Sequence, residues 1–256
     1  MTRGERCLIV NADDLGRTRG VNTGVFEAHR RGLVTSATLM VGFPAAEDAA
    51  RGLVDHPDLG VGLHVTLTGA KPTLPASSVP SLVGAEGRFA ARPEAMGDLD
   101  CGQVRAEVEH QLSRFERLVG RAPTHLDSHH HSHRHPIVRD VLIDVARERH
   151  LPVRSSSDDI RRRLRSAAVP TTDRFIERFY GEATTLEVLL EILRGIEPGV
   201  TELMCHPGHV DDELRHGSSY AEERERELAV LCHPAALALV AELGLRLKRY
   251  DEACAS

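Results

Sequence analysis

Short runs rich in Val, Leu and Ile, alternating with longer segments of helical periodicity, set the tightest limit on what this 256-residue chain can fold into. The runs at residues 7–12, 36–41, 60–66, 125–128, 152–154 and 201–205 read as strands. Between them, Val104, Val108, Leu112, Phe115 and Val119 fall at three- and four-residue steps. Ile137, Val141, Leu142 and Val145 do the same, as do Leu186, Leu189, Leu190 and Leu193, and each stripe reads as a core-facing helix side. Strand–helix alternation of this kind builds βα units around a parallel sheet, so the expected fold class is α/β. No repeat of fixed period and no Gly/Ser linker divides the chain, and one domain over residues 1–256 is expected.

A chain of this length buries roughly 70–75% of its unfolded surface and needs no metal merely to fold, so any metal is expected to be functional. The net charge of -6 and pI near 6.2 give no reason to expect nucleic acid as a partner. The basic run Arg161, Arg162, Arg163, Arg165 follows Asp158 and Asp159 and reads as a solvated helix face. Five scattered cysteines without a C-x-x-C pair argue against a disulfide framework and for a reducing compartment. The start runs from Met1 through charged Arg3, Glu5 and Arg6 into a strand, and no 18-residue apolar stretch follows anywhere. A cytoplasmic protein without membrane insertion is expected.

Acidic and imidazole side chains gather at the C-terminal ends of the strands, the edge where βα loops converge. Asn11-Ala12-Asp13-Asp14-Leu15-Gly16 closes the first strand with two adjacent carboxylates, which repel unless a cation or proton is shared. A helix N-cap would account for one of them, not comfortably for both. His64 lies among apolar neighbours, a setting that by itself more often marks a bonded core histidine and gains weight only beside the other clusters. Residues 125–135 hold six of the 15 histidines. If this tract is extended, His129, His131 and His133 share one face, offering a metal ligand, a supporting partner and a substrate-facing ring. His206, in Met204-Cys205-His206-Pro207, can approach the same mouth or simply close its strand. A carboxylate and two imidazoles on one cation leave open positions for water and substrate, as metal-assisted hydrolysis requires.

Four of these motifs, in this order, resemble the YdjC/ChbG family of carbohydrate deacetylases: 11–16, Gly62-Leu63-His64, Thr124-His125-Leu126-Asp127-Ser128-His129-His130-His131, and 204–207. Segments 32–38 and Phe179-Tyr180-Gly181-Glu182 add lesser matches, and the resemblance spans nearly the whole length. It implies a single-domain distorted (β/α) barrel related to polysaccharide deacetylases, which removes N-acetyl groups from small oligosaccharides such as diacetylchitobiose. It further implies Asp13 as general base, Asp14, His64 and His129 as ligands of one divalent cation, His206 as general acid, and Arg154 as the residue that orients Asp13. Such a ligand set takes Zn or Mg first, with Co, Ni or Mn also able to fill it.

With no Trp, three Tyr and six Phe, the chain is not expected to build a long polymer groove. Tyr180 and Tyr220 are the most available stacking residues, with Phe89 in the long irregular stretch 69–102. The expected substrate is a small N-acetylated oligosaccharide or a glycolipid, and a homodimer is left open. Two rival readings stand beside this one. A metal-dependent phosphoesterase or other amidohydrolase would want several arginines at the mouth, where the sequence offers Arg154 and Arg17. A His-rich metal-binding protein would leave the paired carboxylates without a purpose.

Overall fold

The computed structural model describes residues 4–254, so the charged start at Met1 and Arg3 lies outside the described residues. Strand β1 (Arg6–Leu15) is buried almost throughout and is followed by α1 (Arg19–Arg31), β2 (Ser36–Leu39), α2 (Ala46–Gly52) and β3 (Gly60–Val65). Helix α3 (Cys101–Val119), β4 (Leu126–Ser128), α4 (Pro136–Arg149), α5 (Asp158–Ser166) and β5 (Arg174–Ile176) come next. The chain continues through α6 (Leu186–Arg194), β6 (Gly199–Cys205), α7 (Asp212–Gly217), α8 (Glu222–Leu231), α9 (Pro234–Glu242), β7 (Arg246–Leu247) and α10 (Tyr250–Ala253).

All strand pairings are parallel, in the order β4-β3-β2-β1-β6-β5, with β7 added against β1. Both faces of such a sheet are covered, so its strands are apolar runs rather than alternating ones. The sheet curls into a distorted half-barrel. Residues 152–154, expected as a strand, touch β4 through a single bridge between Leu126 and Val153. Pro152 has no N–H to extend a ladder, and Arg154 turns its side chain inward, so the barrel wall stays irregular there. Strands β5 and β7 were not expected, being three and two residues long with charged ends and no readable period.

The helices form where their apolar stripes predict and stop for identifiable reasons. Asp100 caps α3 by accepting from the Gln103 amide, Gly120 ends it at φ 76°, and Val104, Val108, Leu112 and Phe115 face the core. Pro136 opens α4, whose Val138, Val141, Leu142 and Val145 are buried. In α6 the buried stripe is Leu189, Ile192 and Leu193, with Leu186 and Leu190 only partly covered. Helix α5 carries the basic run as a solvent face, Arg161 pairing with Asp158 at 2.6 Å and Arg163 with Asp159 at 3.0 Å, while Ile160 and Leu164 face inward.

The irregular stretch 69–100 is fastened to α3. The buried Glu107 carboxylate accepts from the Thr73 amide (2.8 Å), the Thr73 hydroxyl (2.8 Å), the Leu74 amide (3.0 Å) and the Gln111 side chain (2.8 Å). Gln111 in turn bonds both backbone groups of Thr66, and Gln103 accepts from the Ser81 amide. Thus held, the stretch packs Val79, Leu82 and Phe89 into the core and brings Arg92 to Glu94 over the C-terminal mouth of the sheet.

Removing the Glu107 carboxylate strands two backbone donors in a dry setting, at about 1–3 kcal/mol each. Glu107→Ala is expected to lower unfolding free energy by about 3 kcal/mol in urea titration and to speed proteolytic cutting between residues 74 and 99. A loss under about 0.5 kcal/mol, the range of ordinary surface substitutions, would show that the stretch is held by something else.

Candidate metal centre and active site

In a regular strand neighbouring side chains point to opposite faces, so Asp13 and Asp14 could not both reach one mouth. The end of β1 solves this with an irregularity. Its register with β2 shifts between Ala12 and Leu15, and Asp14 takes a left-handed backbone at φ 68°. Asp tolerates that region better than most residues, and a bulge of this kind re-aims side chains. Gly16 completes the turn at φ 88°, where a Cβ would meet the Leu39 side chain at 2.8 Å.

Asp14, His64 and His129 converge there, all three buried, with one ligand atom from each lying within 4.8 Å of the others. Asp14 Oδ1 is 3.4 Å from His64 Nε2 and 3.2 Å from His129 Nδ1, and it receives no hydrogen bond. Its second oxygen accepts from buried Arg224 at 2.5 Å. His64 Nδ1 lies 2.7 Å from Asp127 Oδ1, and Thr38 donates to the other Asp127 oxygen at 3.0 Å. A carboxylate on one ring nitrogen fixes the tautomer and turns the lone pair of the other toward a cation. The donor set therefore fits a single divalent cation.

Charge balance supports the same fit. Burial opposes charge on His64, yet Asp127, bonded at Nδ1, together with Asp14 and Asp13, raises its pKa to about 10. Burial would raise the pKa of Asp14, but Arg224 and His129 hold it well below the usual carboxylate range. Four buried carboxyl groups (Asp13, Asp14, Asp127 and Glu202) face two buried guanidiniums, Arg154 and Arg224. A proton on His64 offsets one of the two unbalanced charges, and a divalent cation would offset both.

Arg154 is fully buried. It grips Asp13 with two bonds of 2.6 Å and reaches Asp127 at 3.0 Å and Glu202 at 2.7 Å. Burial alone would raise the Asp13 pKa, but the paired guanidinium pulls it far below its ordinary value. Glu202, which also accepts from the Tyr250 hydroxyl, is pushed up to about 7 by burial against the pull of Arg154.

His206, half-buried at the end of β6, stands across a cavity of about 480 Å³ that both aspartates, His64 and His129 also line. Its backbone N–H donates to Glu227, and its Nδ1 lies 3.6 Å from the same carboxylate. Glu227 also accepts from the Tyr220 hydroxyl at 2.5 Å. Arg17, Arg92, Glu94 and Glu177 also line the cavity.

The mouth thus brings together all six expected site residues: Asp13, Asp14, His64, His129, His206 and, beneath them, Arg154. The histidine tract behaves differently from expectation. His130 and His131 adopt left-handed backbones at φ 53° and 52°, so the tract coils into a tight helical turn and His129, His131 and His133 do not share a face. His131 turns to Glu177 at 3.1 Å and His133 to the Ser128 hydroxyl at 2.6 Å. His130 meets Thr68. His125 stacks on Tyr250 at 3.8 Å and bonds Asn11, and burial lowers its pKa to about 3, so it is a core residue. Cys205 is buried with its thiol donating to the Asn11 carbonyl, and burial raises its pKa well above normal.

Sequence reasoning missed Arg224, Glu227, Arg92 and the part played by Asp127. Helix α8 opens as a run of charges, and Leu228 and Leu231, at helical steps from Arg224 and Glu227, are its signal of a buried face. Arg92 lies in a stretch without periodicity. Asp127 stood in view two residues before His129, but only the β3–β4 register, which sets it beside His64, gives it a role.

A sequence profile for the family described as YdjC-like protein matches residues 7–242. A carbohydrate deacetylase of Geobacillus stearothermophilus is 45% identical over 96% of this chain and 98% of its own length. A chitooligosaccharide deacetylase of Serratia marcescens is 38% identical over 97% and 99%. The crystal structure of a candidate cellobiose-phosphate cleavage protein from Enterococcus faecalis V583 superposes with a TM-score of 0.92 at 34% identity, covering 97% of this chain and 98% of that one.

The proton on His64 gives a test of the cation fit. With its pKa at about 10, metal-free His64 carries a proton at pH 7 that must leave before Nε2 can serve as a ligand. Calorimetric titration of Zn into the metal-free protein, in buffers of differing ionisation enthalpy, is expected to show release of about one proton, with apparent affinity rising as pH climbs from 7 toward 10. The same raised pKa stabilises the metal-free fold fully below about pH 6.5 and ceases to do so as pH passes about 10. Cation binding without proton release, at an affinity indifferent to pH, would refute the assignment of His64.

Proposed function

Since this chain belongs to the YdjC-like family, we propose that it is a carbohydrate deacetylase that uses one divalent cation to hydrolyse the acetamide of a small N-acetylated oligosaccharide. The observation that carries this reading is the meeting of Asp14, His64 and His129 on one point beside an ionised Asp13 held by Arg154. When bound by those three side chains, the cation supplies Lewis acidity that acidifies a water and polarises the acetyl carbonyl. Asp13 takes the proton from the attacking water, and Arg154 fixes its carboxylate so that the accepting oxygen stays ionised and aimed. His206 gives a proton to the departing amine nitrogen. With Nδ1 turned to Glu227, its Nε2 is the nitrogen left for that transfer. Water and amide are consumed, and acetate and a free amino sugar leave. Zn or Mg are the cations we favour. Five free thiols fit a reducing cytoplasm, and among the described residues no helix is long and apolar enough to cross a membrane.

Storage of metal by the histidine tract finds no support, because among the described residues His129 alone of the tract's histidines joins a cluster of three ligand side chains. Phosphoester hydrolysis wants guanidiniums free to hold the reacting phosphoryl group, and Arg154 and Arg224 are both engaged by carboxylates. Arg17 and Arg92, which line the same cavity, favour an acidic substituent on the sugar rather than a reacting phosphate. The relative from Enterococcus faecalis, described by a phosphorylated disaccharide, is in keeping with this.

Two measurements bear on the mechanism. Asp13→Asn is expected to keep cation affinity and lose about a hundred- to ten-thousand-fold in rate, whereas Asp14→Asn weakens cation binding and recovers in part with excess metal. Equal rescue of both variants, or near-normal turnover by Asp13→Asn, would reverse the roles. For the substrate, acetate release from diacetylchitobiose and from its phosphorylated counterpart is compared with rising salt. A lower KM for the phosphorylated sugar, which converges with the neutral one at high salt or in Arg92→Ala, is the expected result. Indistinguishable KM values at low salt would remove the anionic substituent.

A further inference from the structure

Of the three large apolar side chains left exposed among the described residues, Val54, Tyr180 and Leu237, only Tyr180 lines the mouth. Its position is set by the chain around it. Tyr180 has an extended backbone (φ -155°, ψ 146°), so it and Phe179 point opposite ways, Phe179 fully into the core and Tyr180 outward with 45% of its surface exposed. A tight turn follows at Gly181 (φ 61°), whose N–H donates to the Tyr220 hydroxyl at 3.1 Å. The Tyr220 ring lies flat behind that of Tyr180, centroids 4.1 Å apart and planes 7° from parallel. His206 meets both rings edge-on, at 5.4 and 5.6 Å. Tyr180 is thereby held in place before any ligand arrives, with one face backed and the rest of the ring turned to the cavity.

We infer that Tyr180 is the platform on which the sugar bearing the acetamido group rests, and that it sets affinity and selectivity for a pyranose ring rather than any other acetamide. This deepens the deacetylase reading and rests on it. A pyranose presents a face of C–H bonds that gains by covering an aromatic ring, and a ring already stacked on a neighbour loses little freedom when covered. The acetamido nitrogen sits on the sugar ring itself, so a pyranose over Tyr180 would carry that nitrogen beside His206.

The test compares Tyr180→Ala and Tyr180→Phe with the wild type, using diacetylchitobiose for kinetics and equilibrium calorimetry. The alanine variant is expected to raise KM and Kd about tenfold with kcat little changed, and the phenylalanine variant to stay within about twofold of wild type. N-acetylglycinamide, an acetamide without a sugar ring, is expected to respond equally to all three proteins. Unchanged KM in Tyr180→Ala overturns the platform, as does a fall in kcat at constant KM, which would mean that Tyr180 serves His206 and not the sugar. Binding separates this inference from the reading beneath it. A disaccharide that binds wild type and fails to bind Tyr180→Ala supports the platform even where no acetate is released, a result that would sink the deacetylase reading alone.

Discussion

Arg154 is a buried guanidinium with carboxylates from three strands of a curled parallel sheet closed around it. Asp13 comes from the end of β1, Asp127 from β4 and Glu202 from β6, all within 3.0 Å. An unpaired charge at such a place is forbidding, and breaking a buried pair by removing one partner costs about 3–5 kcal/mol. The four groups consequently fix one another, and with them the spacing of strands that no continuous ladder closes on the side of residues 152–154. The same arrangement keeps Asp13 ionised, so a structural tie and a candidate base are one set of bonds.

From this centre the chemistry is layered outward. Asp127 is shared between Arg154 and His64, so the orientation of the candidate ligand ring depends on the buried guanidinium one bond away. Asp14 is shared in the same manner between the candidate cation position and Arg224, which arrives from α8. That helix also carries Glu227 to the backbone of His206. One helix from the last third of the chain thus supports both the candidate cation site and the candidate acid. Of the five non-glycine residues with left-handed backbones among those described, Asp14, His130 and His131 fall in two of the three segments that carry the candidate ligands, where unusual backbone aims side chains that regular strands would turn away.

The walls of the mouth come from segments without regular structure. Residues 69–100 stand over it because Glu107 satisfies their amides, and the Tyr180 turn stands beside it because Tyr220 and Phe179 fix its two sides. Neither loop could hold its place by propensity alone. Both spend their backbone donors on buried side chains of the scaffold, which makes them rigid enough to shape a cavity.

The sequence by itself determined the α/β alternation, the core stripes of α3 and α4, the strand ends at which the acids and histidines gather, and the residues Asp13, Asp14, His64, His129, Arg154 and His206. The alternation and the clusters were legible because burial imposes local periods and because carboxylates and imidazoles gather where something balances them, whereas Arg154 and the division of roles came from the family resemblance. Tertiary structure alone decided which members of the histidine tract face the mouth, since that turned on two left-handed residues no period announces. It alone made Asp127, Arg224 and Glu227 members of the site. Their partners lie 63, 210 and 21 residues away along the chain, and such pairings depend on sheet register and helix packing rather than on anything read within a short window.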